Sequence, residues 1–483
     1  MINWKLISKI LGSLLFIEAF FMALCLVMTL VYDETDMPIF ITSTAVTAAG
    51  AFIFRYGGFD AENSLSRRDA YVVVTLTWLV FSLFGMIPFL LQGTSLTDAF
   101  FETMSGFTTT GATVIDDVES LSHGLLFWRS LMQWIGGLGI VFFTVAVLPS
   151  LVGGSVKVFA AEATGPMRSK MHPRLSTSAK WIWSIYTLLT VACGLSFWVA
   201  GMDWFDAVNY AMSTTATGGF STHNGTIFLA SPLIEYLAVL FQFLAGINFT
   251  LLYLSIFKLR VSTLLRNSEF RFYVLTIFVA TSWIMYLLTT RMDYPLEQAF
   301  RSSLFQVVSF VTTTGLSNTD AGAWPHLTWV ILGVLMFMGA CAGSTTGGFK
   351  CVRVAMIIKV LRNEFRRILH PNAVLPVKLG EQSVPQQNLV SLLAFFTLYV
   401  VMLFITAAVM VVAGDLDITN SFTIALSLIS SVGAGLDTNI GPVMSWADLS
   451  DSMKWLCSFL MLVGRLEILT VLVLFTRAFW REN

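Results

Sequence analysis

Ten stretches of this 483-residue chain are apolar enough, and at roughly 20 residues or more long enough, to cross a lipid bilayer. They fall near 6–32, 37–55, 70–92, 124–150, 180–201, 231–258, 272–291, 326–361, 387–414 and 452–479. A water-soluble fold has nowhere to put them. Hydrophobic residues make up 56% of the chain and charged residues only 12%, about half the share that soluble domains carry. The first stretch is longer than the apolar region of a signal peptide and no small-residue cleavage site ends it, so it reads as a retained span. The net charge of −1 implies no nucleic-acid partner. Five cysteines (Cys25, Cys193, Cys341, Cys351, Cys457) stand at unrelated spacings, mostly in apolar segments, and read as small packing residues.

Charge orders the connections. Lys5, Lys9, Arg55, Arg67 and Arg68 mark the N-terminal end and second connection; Lys157, Arg168, Lys170 and Arg174 the fourth; Lys258, Arg260 and Arg266 the sixth; Lys359, Arg362, Arg366 and Arg367 follow the eighth span. The intervening connections carry Asp33, Glu34, Asp116, Asp117, Glu119, Asp320, Asp437 and Asp448. Basic connections stay on the cytoplasmic side, which places both termini inside. The acidic face would concentrate cations outside.

Between spans lie shorter half-apolar stretches, and these resemble one another. The first runs from Asp98-Ala99-Phe100 through Met104-Ser105 to Thr108-Thr109-Thr110-Gly111. The second runs from Asp206-Ala207 through Met212-Ser213 to Thr217-Gly218-Gly219, and the third from Phe305-Gln306 through Ser309 to Thr312-Thr313-Thr314-Gly315. A fourth runs from Ser421-Phe422 through Ser427 to Ser430-Ser431-Val432-Gly433, with Gly435 as a competing register. Each copy reads as span, short half-helix, Thr/Ser/Gly turn, span. Such a turn at membrane depth is tolerated only where protein buries it or where it lines a water-filled path. Four around one axis would turn backbone carbonyls inward, as K⁺ pores do to replace the ion's hydration shell, with the half-helix C-terminal dipoles aimed at the cation. The plainer alternative, four ordinary glycine C-caps, fits any one loop better than four in register.

With these motifs, together with Gly218-Gly219-Phe220-Ser221-Thr222-His223, Gly339-Ala340-Cys341-Ala342-Gly343-Ser344-Thr345, His370-Pro371-Asn372-Ala373-Val374 and Gly464-Arg465-Leu466-Glu467, the chain resembles the TrkH/TrkG branch of the bacterial K⁺ transporters, relatives of KtrB and the plant HKT proteins. The resemblance covers essentially the whole chain. It implies an all-α integral membrane fold of ten transmembrane helices and four re-entrant pore loops. Two helices (1–66) would precede pore repeats at 67–155, 156–262, 263–370 and 371–483. Carried over by motif, it implies filter carbonyls from Thr109, Thr110, Thr217, Gly218, Thr313, Thr314, Ser431 and Val432, with Gly111, Gly219, Gly315 and Gly433 as filter glycines. Glycine rather than serine at 111 implies K⁺ over Na⁺. The fourth loop departs from relatives that commonly carry Asn and Pro there. The resemblance further implies a homodimer in a bacterial inner membrane and a cytosolic TrkA-type regulatory subunit that binds NAD(H)- or ATP-like nucleotides, with K⁺ as the transported ion and no covalent cofactor.

The segment from Gly339 to Gly348 (Gly339, Ala340, Cys341, Ala342, Gly343, Ser344, Thr345, Thr346, Gly347, Gly348) interrupts the eighth span with residues that weaken a helix by about 1 kcal/mol per glycine. It reads as a movable obstruction, or else as a small-residue packing face; the resemblance implies a gating loop. Arg465 is a costly cation within the last span. The resemblance puts it against that loop, and the alternative is a local ion pair with a nearby carboxylate. Gly343 to Lys350 lacks the Gly-Lys-Ser/Thr ending of a phosphate-binding loop. His223 beside the second turn suggests a structural part at the outer mouth. No nucleophile–base or paired-carboxylate arrangement points to an enzyme. The expectation is electrodiffusive K⁺ uptake, with K⁺/H⁺ or K⁺/Na⁺ symport by alternating access as the alternative.

Overall fold

The computed structural model describes residues 2–62, 65–139, 175–224, 231–373, 375–380, 382–436 and 445–481. Two long antiparallel helices, Trp4–Val31 and Met37–Gly57, come first and pack closely along their length. Gly12 permits this, because a Cβ there would stand 2.5 Å from the Arg55 amide nitrogen and 2.6 Å from the Ala51 carbonyl.

Four helix–loop–helix units follow. Their lead helices are Arg67–Gly85, Leu175–Val199, Ser268–Arg291 and Gln386–Gly414. The first opens on a capping box between Ser66 and Asp69 and runs on as Ile87–Gln92 after a break before Pro88, whose ring cannot continue a helical ladder. Short helices come next: Leu96–Phe107, Trp204–Ala216, Leu296–Val311 and Ile418–Ser430. Polar N-caps set three of their starts, with Ser95, Asp203 and Asp417 accepting from the amides of Asp98, Phe205 and Thr419. Pro295 precedes the remaining one. Each short helix ends in a buried loop, and a return helix follows: His123–Gly137, Pro232–Ala245, His326–Met338 and Asp451–Arg465.

Ten spans are expected, but among the described residues six helices are long and apolar enough to cross a membrane, or up to eight if each bent pair is one span. The expected spans 231–258 and 452–479 are bent, by 105° between Ala245 and Phe249 and by 107° between Arg465 and Leu469. At the first bend Asn248 restarts the helix by accepting from the Thr250 and Leu251 amides. At the second, Glu467 and Ile468 take left-handed φ of 55° and 35°. The expected span 326–361 is divided by the glycine-rich loop, after which Cys351–Leu369 forms a separate helix. The expected span 124–150 is helical to Gly137 and leaves the described residues after 139. Hydropathy registers how apolar a segment is, and nothing in it registers such a bend. A two-residue antiparallel ribbon, pairing Lys378 with Ser383 and Leu379 with Gln382, is a small exception to an all-α expectation.

Gly12→Val should lower the thermal unfolding midpoint in detergent by several degrees, because the added methyls force two helix backbones apart at about 1–3 kcal/mol; an unchanged midpoint would show that the pair is not locked there.

Candidate functional site

Each short helix unwinds in the same way. The amides of Thr109 and Thr110 donate to the Gly106 and Ser105 carbonyls at 3.1 and 2.9 Å, closing a paired C-terminal cap. The same two bonds recur at Thr217 and Gly218, at Thr313 and Thr314, and at Ser431 and Val432. The left-handed position of such a cap is normally glycine. Here it is Thr109 (φ 53°), Thr217 (53°), Thr313 (55°) and Ser431 (56°), at a cost of about 1–2 kcal/mol each. The glycines come two residues later and are left-handed again: Gly111 (82°), Gly219 (84°), Gly315 (75°) and Gly433 (76°). The helices are therefore capped at threonine or serine, and the glycines stand beyond the cap. Between the two registers open in the fourth loop, Gly433 carries the positive φ and Gly435 does not.

The four loops close on one another. A Cβ on Gly111 would collide with the Gly218 carbonyl oxygen, one on Gly219 with that of Thr314, one on Gly315 with that of Val432, and one on Gly433 with that of Thr110. First touches second, second third, third fourth and fourth first, so the order is a ring. A cavity on one side of it is lined by all four glycines together with Asp116 and His223.

Buried and half-buried polar groups tie the units together around the ring. Arg129 donates from Nε to Glu102 at 2.9 Å, and from its two terminal nitrogens to the Ser221 carbonyl at 2.8 Å and Thr113 Oγ1 at 3.2 Å. Its guanidinium lies 4.2 Å from the centre of the Phe220 ring. Glu102 also accepts from Thr113 and the Val114 amide. Arg301 and Asn318 of the third unit donate to Glu235 of the second at 2.8 and 2.5 Å, and Lys454 of the fourth reaches Asp98 of the first at 2.7 Å. Sequence reasoning missed these braces, since partners far apart in the chain leave no local pattern; the only available signal was charge inside apolar segments.

His223 sits at the cavity rim between Asp206 (2.9 Å) and Glu119 (3.2 Å). Burial pulls the imidazole down, but the hydrogen bonds and charges of Asp206 and Glu119 outweigh it, so His223 titrates above its ordinary 6.5.

On the other face of the ring lies Gly339–Lys350. Gly347 N donates to Thr313 Oγ1 at 2.7 Å, Thr345 Oγ1 lies 3.4 Å from Thr217 Oγ1, and a Cβ on Gly347 would strike the Ser430 carbonyl. Gly339, Gly343, Gly348 and Lys350 are left-handed. The loop is tied to its surroundings through Asn248 to Ala342 O (2.6 Å), Ala342 N to Glu269 (2.6 Å) and Cys341 N to Gly246 O (3.1 Å). Arg465 donates to Thr345 O at 3.0 Å and to the carbonyls of Gly136 and Gly137 at 2.6 and 2.9 Å. Glu467 meets Arg353 instead, through both oxygens at 2.8 Å. Lys350 is buried and folds back onto Thr346.

Residues 40–482 match the TrkH family of cation transport proteins. The chain belongs to the TrkH family. Among its relatives is the Trk system potassium uptake protein TrkH of Halomonas elongata, 37% identical over 99% of both chains. The protein of the same name from Escherichia coli K12 is 34% identical over 99% of this chain and all of the relative. A crystal structure of the potassium transporter TrkH from Vibrio parahaemolyticus superposes with a TM-score of 0.88 at 33% identity, covering 99% of this chain and 100% of that one. A TrkH-family chain is thus a multi-pass membrane transport protein and not an enzyme.

Arg129→Leu should destabilise the fold strongly, by about 3–5 kcal/mol, because Glu102 stays buried without its cation. Adding Glu102→Leu should recover much of the loss in a thermal melt; a double variant as unstable as the single one would mean that the pair does not act as a unit. His223 should stabilise its three-residue bridge fully below pH 6.5 and progressively less as pH rises through its higher folded value. Thermal melts between pH 5.5 and 8.5 check this, and His223→Gln should flatten that component.

Proposed function

We propose that this chain is the membrane subunit of a potassium uptake system and that the loop ring is its selectivity filter. The observation that carries the reading is the closed ring of four loops with left-handed residues at two alternate positions in each. Residues of alternating handedness keep successive carbonyls turned to the same side. Thr109 and Thr110, Thr217 and Gly218, Thr313 and Thr314, and Ser431 and Val432 then offer stacked carbonyl rings to a dehydrated cation. The C-terminal ends of four short helices add negative potential there. Entry is driven by the membrane potential, at about 2.3 kcal/mol per charge per 100 mV.

Gly339–Gly348 and Arg465 form the gate in this reading. The loop fills the space against the ring, its backbone is glycine-hinged, and Arg465 places a fixed positive charge where a leaving cation would pass. The acidic residues Asp116, Asp117, Glu119 and Asp206 lie on the opposite, outer face, and both termini lie inside. Release of the gate falls to a cytosolic nucleotide-binding subunit of the TrkA kind. Lys359, Arg362, Arg366 and Arg367, on the helix that leaves the loop, offer it a basic surface. A homodimer in a bacterial inner membrane completes the proposal.

In liposomes holding the purified chain, ⁸⁶Rb⁺ uptake should be competed by K⁺ and hardly by Na⁺, and Gly315→Ser should lose that preference. Unchanged selectivity in the variant would sink the filter and favour alternating access. Arg465→Gln should raise uptake severalfold in the absence of any partner; lower or equal uptake from folded protein would remove Arg465 from the gate.

A further inference from the structure

We infer that Gln133, on the return helix of the first unit, is a selectivity-determining positioning residue that stands in for a side-chain staple the second loop lacks. In the first loop the hydroxyls of Thr108 and Thr110 meet at 2.8 Å, and in the third those of Thr312 and Thr314 meet at 2.8 Å. Each pair ties the residue before the glycine back to the end of its short helix. The second loop has Ala216 and Gly218 at these places and cannot make the bond. Gln133 enters the space instead: a Cβ on Gly218 would lie 2.5 Å from its Oε1. Its amide nitrogen donates to the Gly218 carbonyl at 2.8 Å and its oxygen accepts from the Phe220 amide at 3.1 Å, spanning Gly219 on both sides. The side chain is fully buried.

The pairing is particular to this position. Gly137 and Gly246 both lie against a tyrosine hydroxyl of the following unit, Tyr186 and Tyr273, which makes Gln242 the counterpart of Gln133. Gln242 is equally buried, yet neither of its amide atoms finds a partner among the described residues. The loop it faces already has its own Thr312–Thr314 staple. Gln133 therefore matches a glycine at 218.

The inference rests on the filter reading above. A carbonyl oxygen has two lone pairs. Gln133 takes one from behind and leaves the other for the ion, fixing where the Gly218 oxygen stands. Without it, the loop with two adjacent glycines is the one freest to rotate its peptide, and a ring able to contract around a smaller ion discriminates less against Na⁺.

The test compares ⁸⁶Rb⁺ uptake competed by K⁺ and by Na⁺ for four proteins: the parent, Gln133→Met, Gln242→Met and Gly315→Ser. Methionine matches the volume, and Met461 occupies the corresponding place in the fourth unit, where Gly464 lies against the Ile429 carbonyl as Gly136 lies against that of Phe107. The K⁺- and Na⁺-dependence of thermal stabilisation in detergent gives the same ratio without requiring an open gate. Gln133→Met should lower the K⁺-over-Na⁺ ratio about tenfold, as expected for one buried hydrogen bond, while Gln242→Met leaves it unchanged. Gln133→Ala/Ala216→Thr/Gly218→Thr, which clears the volume of the glutamine chain beside residue 218 and installs the missing hydroxyl pair, should restore it. A Gln133→Met protein with parental selectivity beside a Gly315→Ser protein that has lost it would overturn the role of Gln133 and leave the filter standing. If neither substitution moves the ratio, the filter reading itself falls. Should Gln133→Met not fold, Gln133→Leu also removes the donor without adding a charge, and the same ratio decides.

Discussion

The rest of the structure depends on a contact that leaves no room for a side chain. Four glycine α-carbons each rest on a carbonyl oxygen of the next unit, in an unbroken circle of first to second to third to fourth to first. A methyl at any of them would collide with a neighbour's backbone, which cannot yield as a flexible side chain can. The circle also explains why four β-branched or hydroxylated residues are held in left-handed conformations two places earlier. Such strain persists only where the surroundings over-determine it. Here the short helix on one side and the ring contact on the other leave the intervening residues no alternative.

Holding polar backbone deep in an apolar body raises a second demand, since every buried donor and acceptor there needs a partner. The units meet it in different ways: paired threonine hydroxyls, a glutamine from the neighbouring unit, an arginine–glutamate pair that also reaches a third backbone, and a lysine–aspartate pair joining last to first. The repeat is thus closer to fourfold in backbone than in side chains. The second copy lost its hydroxyl pair and another helix supplied the hydrogen bonds, whereas the fourth, with Val432 at that place, faces Met461. The same economy holds on the face opposite the cavity, where Arg465 satisfies carbonyls of the interrupting loop and of the first return helix at once.

The loops were legible in the sequence because four short motifs repeat a hydroxyl-then-glycine pattern, and Gly339–Gly348 because small residues crowd into an apolar run. The register of the fourth loop was not. Gly433 and Gly435 are equivalent as letters, and only φ separates them. Equally hidden were the bends after Ala245 and Arg465, which fall in segments whose average hydropathy is that of a span, and Arg129, whose partners lie before it at Glu102 and far beyond it at Ser221.

Sequence by itself determined that the chain is a membrane protein, that it is built from a repeated span, half-helix, turn and span, and which glycines could stand at the turns. These are matters of composition and local order, carried by hydrophobicity and by the backbone freedom of single residues. Tertiary structure alone decided that the turns meet, in what order, which glycine of the fourth is used, and which buried polar groups brace them. The deciding distances run between residues tens to hundreds of positions apart, and whether a glutamine pairs or stays unpaired depends on whether a neighbouring loop happens to carry a side chain or a gap.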